Sequence, residues 1–188
     1  MKKYSYLKVI AVACVSALAS CGISSKTAQM PVAATPRPDS SVTGGVLQAV
    51  NSYRRDHGAS DLVRHAGLDR LAQEHSEYLM AHRGTFSLSG KNVSHIGFEG
   101  RTLIARERFQ MVSISENVLA TSHLGKNPAP TLVKLWSESK DHEYNMRSSW
   151  THTGIGLVVD SDGMAICTQL FATINYSHLA SRQRFSGF

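Results

Sequence analysis

Nine histidines lie along a chain of 188 residues. Histidine is the side chain whose ordinary pKa puts its change of charge near neutrality. No standard catalytic signature organises them: HExxH, GxSxG, a phosphate-binding glycine loop and CxxC are all missing from the sequence. Chemistry-bearing types cluster instead in Ser94-His95, Glu116-Asn117-Val118 and the run Trp136-Ser137-Glu138-Ser139-Lys140-Asp141-His142-Glu143-Tyr144-Asn145. His75 and His82 are seven apart and share a helical face, the spacing of a metal pair. His75, however, sits among Ala72, Tyr78 and Leu79, which predicts a hydrogen-bonded histidine at the edge of the core. Cys167, between Ile166 and Thr168, reads as an inert buried thiol. Ser137 and Ser139 lie near His142, but no oxyanion element accompanies them, so helix capping or solvation is their expected role. Trp136, with Leu132 and Leu135, reads as core, and Arg106 and Glu99 as a cleft rim or a solvated ion pair.

The elements that must position these groups follow from periodicity. Val46, Leu47, Val50 and Tyr53 form one helical stripe, stopped at His57-Gly58. Leu68, Leu71, Ala72, His75, Tyr78 and Leu79 mark a second amphipathic helix. Residues 84–100 read as a loop, Thr102 to Phe109 as a short helix and Met111 to Leu119 as a strand. A loop holding Pro128 and Pro130 precedes a third helix through Leu132, Val133, Leu135 and Trp136. Residues 154–160 and 164–172 are β-rich runs joined by Ser161-Asp162-Gly163, a hairpin signal. Helices first and an antiparallel sheet last predict an α+β domain and not a nucleotide-binding α/β fold.

The N-terminus carries a different kind of information. Lys2, Lys3 and Lys8 precede an uncharged run from Val9 to Leu18, the order of an export signal. As a helix that run is about 15 Å long, half the roughly 30 Å hydrocarbon layer, so it cannot span a bilayer. Leu18-Ala19-Ser20-Cys21 resembles the lipobox of bacterial lipoproteins, which implies a diacylglycerol on the Cys21 thiol and cleavage before it. Two or more acyl chains anchor firmly where one holds marginally. Gly22 after the cysteine, with no aspartate, points towards the outer membrane. Residues 21–43 are rich in Ser, Thr, Ala and Pro and read as a tether, residues 44–175 as the domain and 176–188 as a tail. Loss of residues 1–20 removes three lysines and no acid, halving the formal charge of +6. The remainder has no basic cluster, which argues against a nucleic-acid partner.

In chain order the quoted segments resemble the CAP superfamily (cysteine-rich secretory, antigen 5 and pathogenesis-related 1 proteins), and within it the bacterial SCP-like branch. That branch typically lacks disulfides and carries W-x-x-S-x-x-H-x-x-N, complete here as Trp136, Ser139, His142 and Asn145. Asn51-x-x-Arg54-x-x-His57-Gly58, Ala72-x-x-His75-Ser76, Gly154-Ile155-Gly156 and Thr168 to Ala172 extend the likeness from residue 44 to 172. The resemblance implies a three-layer α-β-α sandwich with a mostly antiparallel central sheet. It also implies a cleft where two histidines and acidic side chains converge, sometimes around a divalent metal. Matched by position, His95 and His142 take the histidine places and Glu116 the first glutamate place. The second glutamate has no clean counterpart: Ser139 stands there and Glu138 lies one residue off, about 100° away on a helix.

Two imidazoles and a carboxylate can hold zinc with an open fourth position, making a Lewis acid or an activated water. Without metal they make a polar cleft, or Glu116 fixes a loop while the histidines pack. The functional expectation is an envelope-anchored binding or interaction module whose cleft takes a small molecule, lipid, glycan or protein. The competing reading is a metal-assisted hydrolase of peptide or cell-wall substrates, with Glu116 as base or ligand.

Overall fold

The computed structural model describes residues 42–84 and 95–174. Cys21, the tether up to residue 41 and the tail from 176 lie outside the described residues. Helix α1 (Val42–Asp56) turns Val46, Val50 and Arg54 inward at fourfold spacing. Gly58, at φ 75°, closes it as the positive-φ residue that ends so many helices. Then come β1 (Val63–Arg64), α2 (Ala66–Ala81), α3 (Phe98–Phe109), β2 (Met111–Thr121), α4 (Pro128–Ser137), α5 (Lys140–Arg147), β3 (His152–Val159) and β4 (Ala165–Ile174).

The four strands form one sheet in the order β1-β3-β4-β2. β4 runs antiparallel to both β2 and β3, while β1 adds a parallel pair at the far edge. Every residue from Ala165 to Ala172 is buried, because β4 is covered on both faces. On one face Leu170 and Ala172 meet Leu68, Leu71 and Ala72 of α2 and Ala105 of α3. On the other, Cys167 and Phe171 meet Val46 and Val50 of α1, Leu132 and Trp136 of α4 and Met146 of α5. The expected three-layer sandwich is therefore the architecture of this chain.

The α2 layer sits directly on β3. A Cβ at Gly154 would lie 2.1 Å from the Leu68 carbonyl carbon, and one at Gly156 2.3 Å from that of Ala72. β1 is too short to satisfy β3 along its length. Side chains of α2 take over: Asp69 Oδ1 accepts from Ile155 N and Gln73 Oε1 from Leu157 N, both at 2.9 Å. Backbone donors that would otherwise be stranded are paired in this way.

Several boundaries differ from those expected. α3 begins at Phe98, inside the stretch read as loop, because Gly97 supplies a positive-φ entry and Gly100 is carried within the helix. α4 starts at Pro128, since the first helical turn needs no N–H from proline. The Trp136–Asn145 run is split between α4 and α5, with Glu138 and Ser139 at the join. The hairpin stands as read, with Gly163 at φ 83° and Asp162 Oδ1 accepting from Met164 N at 3.0 Å.

Candidate functional site

Glu116 lies on β2 opposite Leu170 of β4, so its side chain projects into the α2/α3 layer. Its neighbours Ser115 and Asn117 alternate to the other face and meet α5. The Glu116 side chain is only 1% exposed and is surrounded by donors. Arg101 of α3 grips it with both arms: Nε donates to Oε2 at 2.7 Å and Nη2 to Oε1 at 2.8 Å. The third guanidinium nitrogen, Nη1, donates to Ile96 O at 2.9 Å, which fixes the fork in place. His95 Nδ1 donates to Oε1 at 2.9 Å. His75 Nε2 stands 3.9 Å from the same oxygen. Burial pulls down the pKa of Arg101 and the carboxylate pushes it back up.

His75 reaches this position because α2 aims Leu68, Leu71, Ala72, His75, Ser76 and Leu79 at the sheet. Expected as a core-edge histidine, it is buried and faces the cleft carboxylate. His82, its supposed mate, caps the end of α2 and packs on Tyr78, so the two do not form a pair.

His142 arrives from the opposite layer. Asn117 Nδ2 donates to its carbonyl at 3.0 Å, and Asn145 Nδ2 donates to Asn117 Oδ1 at 2.9 Å. Asn145 Oδ1 accepts in turn from Ser115 Oγ at 2.8 Å. This clasp explains Asn145 in the Trp136–Asn145 block: it ties α5 to the β2 edge. Burial lowers the His142 pKa and the neighbouring His95 lowers it further, so its imidazole is neutral at pH 7. Its Nδ1 is enclosed and has no hydrogen-bond partner among the described residues. His95, by contrast, leaves 35% of its side chain open to solvent.

Two expected members stay apart from this cluster. Glu138 caps α4, is exposed, and pairs with Lys134 one turn earlier, so it does not substitute for a second glutamate. Ser139 occupies the N-cap position of α5 without a side-chain capping bond. Glu99 and Arg106 face solvent; Arg101, which the sequence reading passed over, is the arginine that enters the cleft. Its five-residue spacing from Arg106 puts the two on different sides of α3.

The donor set does not fit the zinc site anticipated for His95, Glu116 and His142. Both Glu116 oxygens already accept from a fixed guanidinium, and His95 spends Nδ1 on the same carboxylate. A cation placed on Glu116 would have to displace Arg101 or sit against its charge. Among the described residues no group of three or more His, Cys, Asp or Glu side chains is placed to hold a metal ion. No described helix is long and apolar enough to cross a membrane.

The model of the cysteine-rich secretory protein (CAP) family matches residues 47–176. No curated protein matches the chain in sequence. An outer surface protein of Borrelia burgdorferi has a similar fold, with 14% identity and a TM-score of 0.57 over 77% of this chain and 100% of that one. An extracellular protein containing an SCP domain from Bacillus anthracis follows at 20% identity and TM-score 0.54, over 70% of this chain and 40% of that one. A cysteine-rich secretory protein of Staphylococcus aureus gives 17% identity and TM-score 0.52, over 73% and 41%. At such identities the likeness speaks for the fold alone, and the chain spans well under half of the latter two proteins. The family match, covering more than half of the sequence and the whole Glu116 cleft, places this chain in the cysteine-rich secretory protein (CAP) family.

Proposed function

We propose that this protein is an envelope-displayed CAP domain that binds a polar ligand in the cleft between His95 and His142. The carrying observation is the state of Glu116. A carboxylate held by a bidentate arginine and an imidazole is poorly placed to act as general base or metal ligand. It serves instead to orient His95: with Nδ1 donating to Glu116, the ring turns its other nitrogen, Nε2, away from the carboxylate. His142, close enough to His95 to interact with it electrostatically, adds a second hydrogen-bonding atom in its enclosed, unpartnered Nδ1. A ligand hydroxyl or amide meets both needs. Display follows from the lipobox-like Leu18-Ala19-Ser20-Cys21, with acyl chains on Cys21 holding the domain at a membrane, the outer one if Gly22 sorts as expected. Outer-surface and extracellular proteins among those of like fold agree with that placement.

The test exposes purified protein and a His95→Ala, His142→Ala double variant to envelope extract and identifies retained molecules by mass spectrometry. A small polar species kept by the wild type and lost by the variant is expected; identical sets on both would refute the cleft. Hydrolysis of peptide or peptidoglycan that disappears in Glu116→Gln would make the protein a hydrolase instead. Acyl chains on Cys21, with release or non-processing of Cys21→Ala, are expected by the same method; an unmodified mature N-terminus would end the anchoring proposal.

A further inference from the structure

A second concavity of about 1040 Å3 opens between the C-terminal end of α1, the loop to β1 and the α5–β3 connection. None of the Glu116 cluster lines it. At its wall lies Arg54, 1% exposed and thus almost wholly desolvated. Nε donates to Ser60 O at 2.7 Å, and Nη1 donates to Met146 O at 2.5 Å and Ser148 O at 2.9 Å. Among the described residues Nη2 makes no hydrogen bond, and the Asp61 carboxylate acts on this guanidinium only through space. Carbonyls at the α5 terminus offset part of the charge. A buried cation that no carboxylate hydrogen-bonds nevertheless favours an anion that can reach its spare nitrogen.

The carboxylates lining the same groove are already committed. Asp61 takes Arg55 at 2.8 Å, and Glu143 takes Arg147 and the Tyr53 hydroxyl, each at 3.0 Å. Of the lining arginines, Arg147 holds a carboxylate directly, whereas Arg54 feels Asp61 only through space and keeps Nη2 unbonded. Flat aromatic surface accompanies it. Tyr144 is 70% exposed, far more than packing of α5 requires. Trp150 ties its Nε1 inward to Asn145 O at 2.8 Å and contributes to the lining. A groove lined by Arg54, two aromatic side chains and the exposed Ser149 suits a ring that carries hydroxyls and a negative group.

We propose that this groove binds an acidic saccharide, with its carboxylate or phosphate on Arg54 Nη2 and its sugar faces against Tyr144 and Trp150. The site is independent of the His95–His142 cleft, so either can fail alone. Calorimetric titration of the purified protein with a galacturonic-acid trisaccharide, the matching neutral galactose trisaccharide and inorganic phosphate tests it. The acidic sugar is expected to bind about tenfold or more tighter than the neutral one and than phosphate, a difference near 1.4 kcal/mol. Tyr144→Ala should weaken it about fivefold or more, and His95→Ala should leave it unchanged. Since Arg54 also joins α1 to α5, Arg54→Lys is compared only at matched circular dichroism and unfolding midpoint; Tyr144→Ala carries the test without it. Equal binding of acidic and neutral sugars, phosphate binding as tightly as the sugar, indifference to Tyr144→Ala, or loss in His95→Ala would each overturn the proposal.

Discussion

Arg101 and Glu116 meet in a fork, Nε on Oε2 at 2.7 Å and Nη2 on Oε1 at 2.8 Å, around a carboxylate only 1% exposed. Removing one partner of such a pair strands the other charge out of water. Arg101→Ala should therefore cost about 3 kcal/mol in urea unfolding. Adding Glu116→Gln to Arg101→Ala should recover part of that loss, because the orphaned charge is gone. A single variant as stable as the wild type would mean that the pair holds nothing together.

Asn145 is predicted to be the clasp of α5. Asn145→Ala frees Ser115 Oγ and Asn117 Oδ1 together, for a cost of roughly 2 kcal/mol. The His142 ring resonances should shift as its backbone loses its tie through Asn117. Unchanged stability and unchanged His142 resonances would contradict this role.

Gly154 and Gly156 should tolerate no side chain. The added Cβ would meet α2 backbone at 2.1 and 2.3 Å, and backbone cannot rotate aside as a side-chain tip can. Alanine at either position should destabilise by about 3 kcal/mol or more, read as a lowered midpoint of thermal unfolding. A loss under about 1 kcal/mol would show that the two layers are less tightly apposed.

Stability should fall with acid through buried histidines. Burial is the main cause lowering the pKa of His65, His142 and His152, and His152 lowers that of His65 further. Depressed folded-state values mean that the unfolded chain binds protons first. The stabilisation is thus complete above the ordinary histidine pKa near 6.5 and drains away as pH drops below it. His65 adds a structural reason: its Nδ1 accepts from Leu68 N at 3.3 Å as the α2 cap, and a proton there ends the bond. His65→Asn keeps a capping side chain but removes the titration, so its melting temperature should drop less between pH 7 and 5. An equal drop would exclude His65 as a contributor.

How much of this was legible beforehand differs by element. Apolar periodicity located α1, α2 and the β3–β4 hairpin, because their buried stripes are written in residue type. β1 escaped notice: two residues carry no period, and their strand character comes only from pairing with His152 and Thr153. α3 was half hidden, since Gly97 and Gly100 look like breakers although one starts the helix and the other is tolerated within it. At the site, His95 and Glu116 were found through family likeness and do touch. Arg101 was missed because an arginine in a polar segment looks solvated until the fold turns it inward. His75 was underrated for a related reason: its apolar helix face gave burial correctly, but not the carboxylate that β2 presents to the same layer.

Metal titration separates an arginine-neutralised cleft from a metal centre most directly. Purified protein titrated with zinc should hold no stoichiometric metal, and zinc should leave its unfolding midpoint where it was. Arg101→Ala, with Glu116 released beside His95, should gain zinc-dependent stabilisation. One zinc per wild-type chain, lost in His95→Ala, would contradict the account.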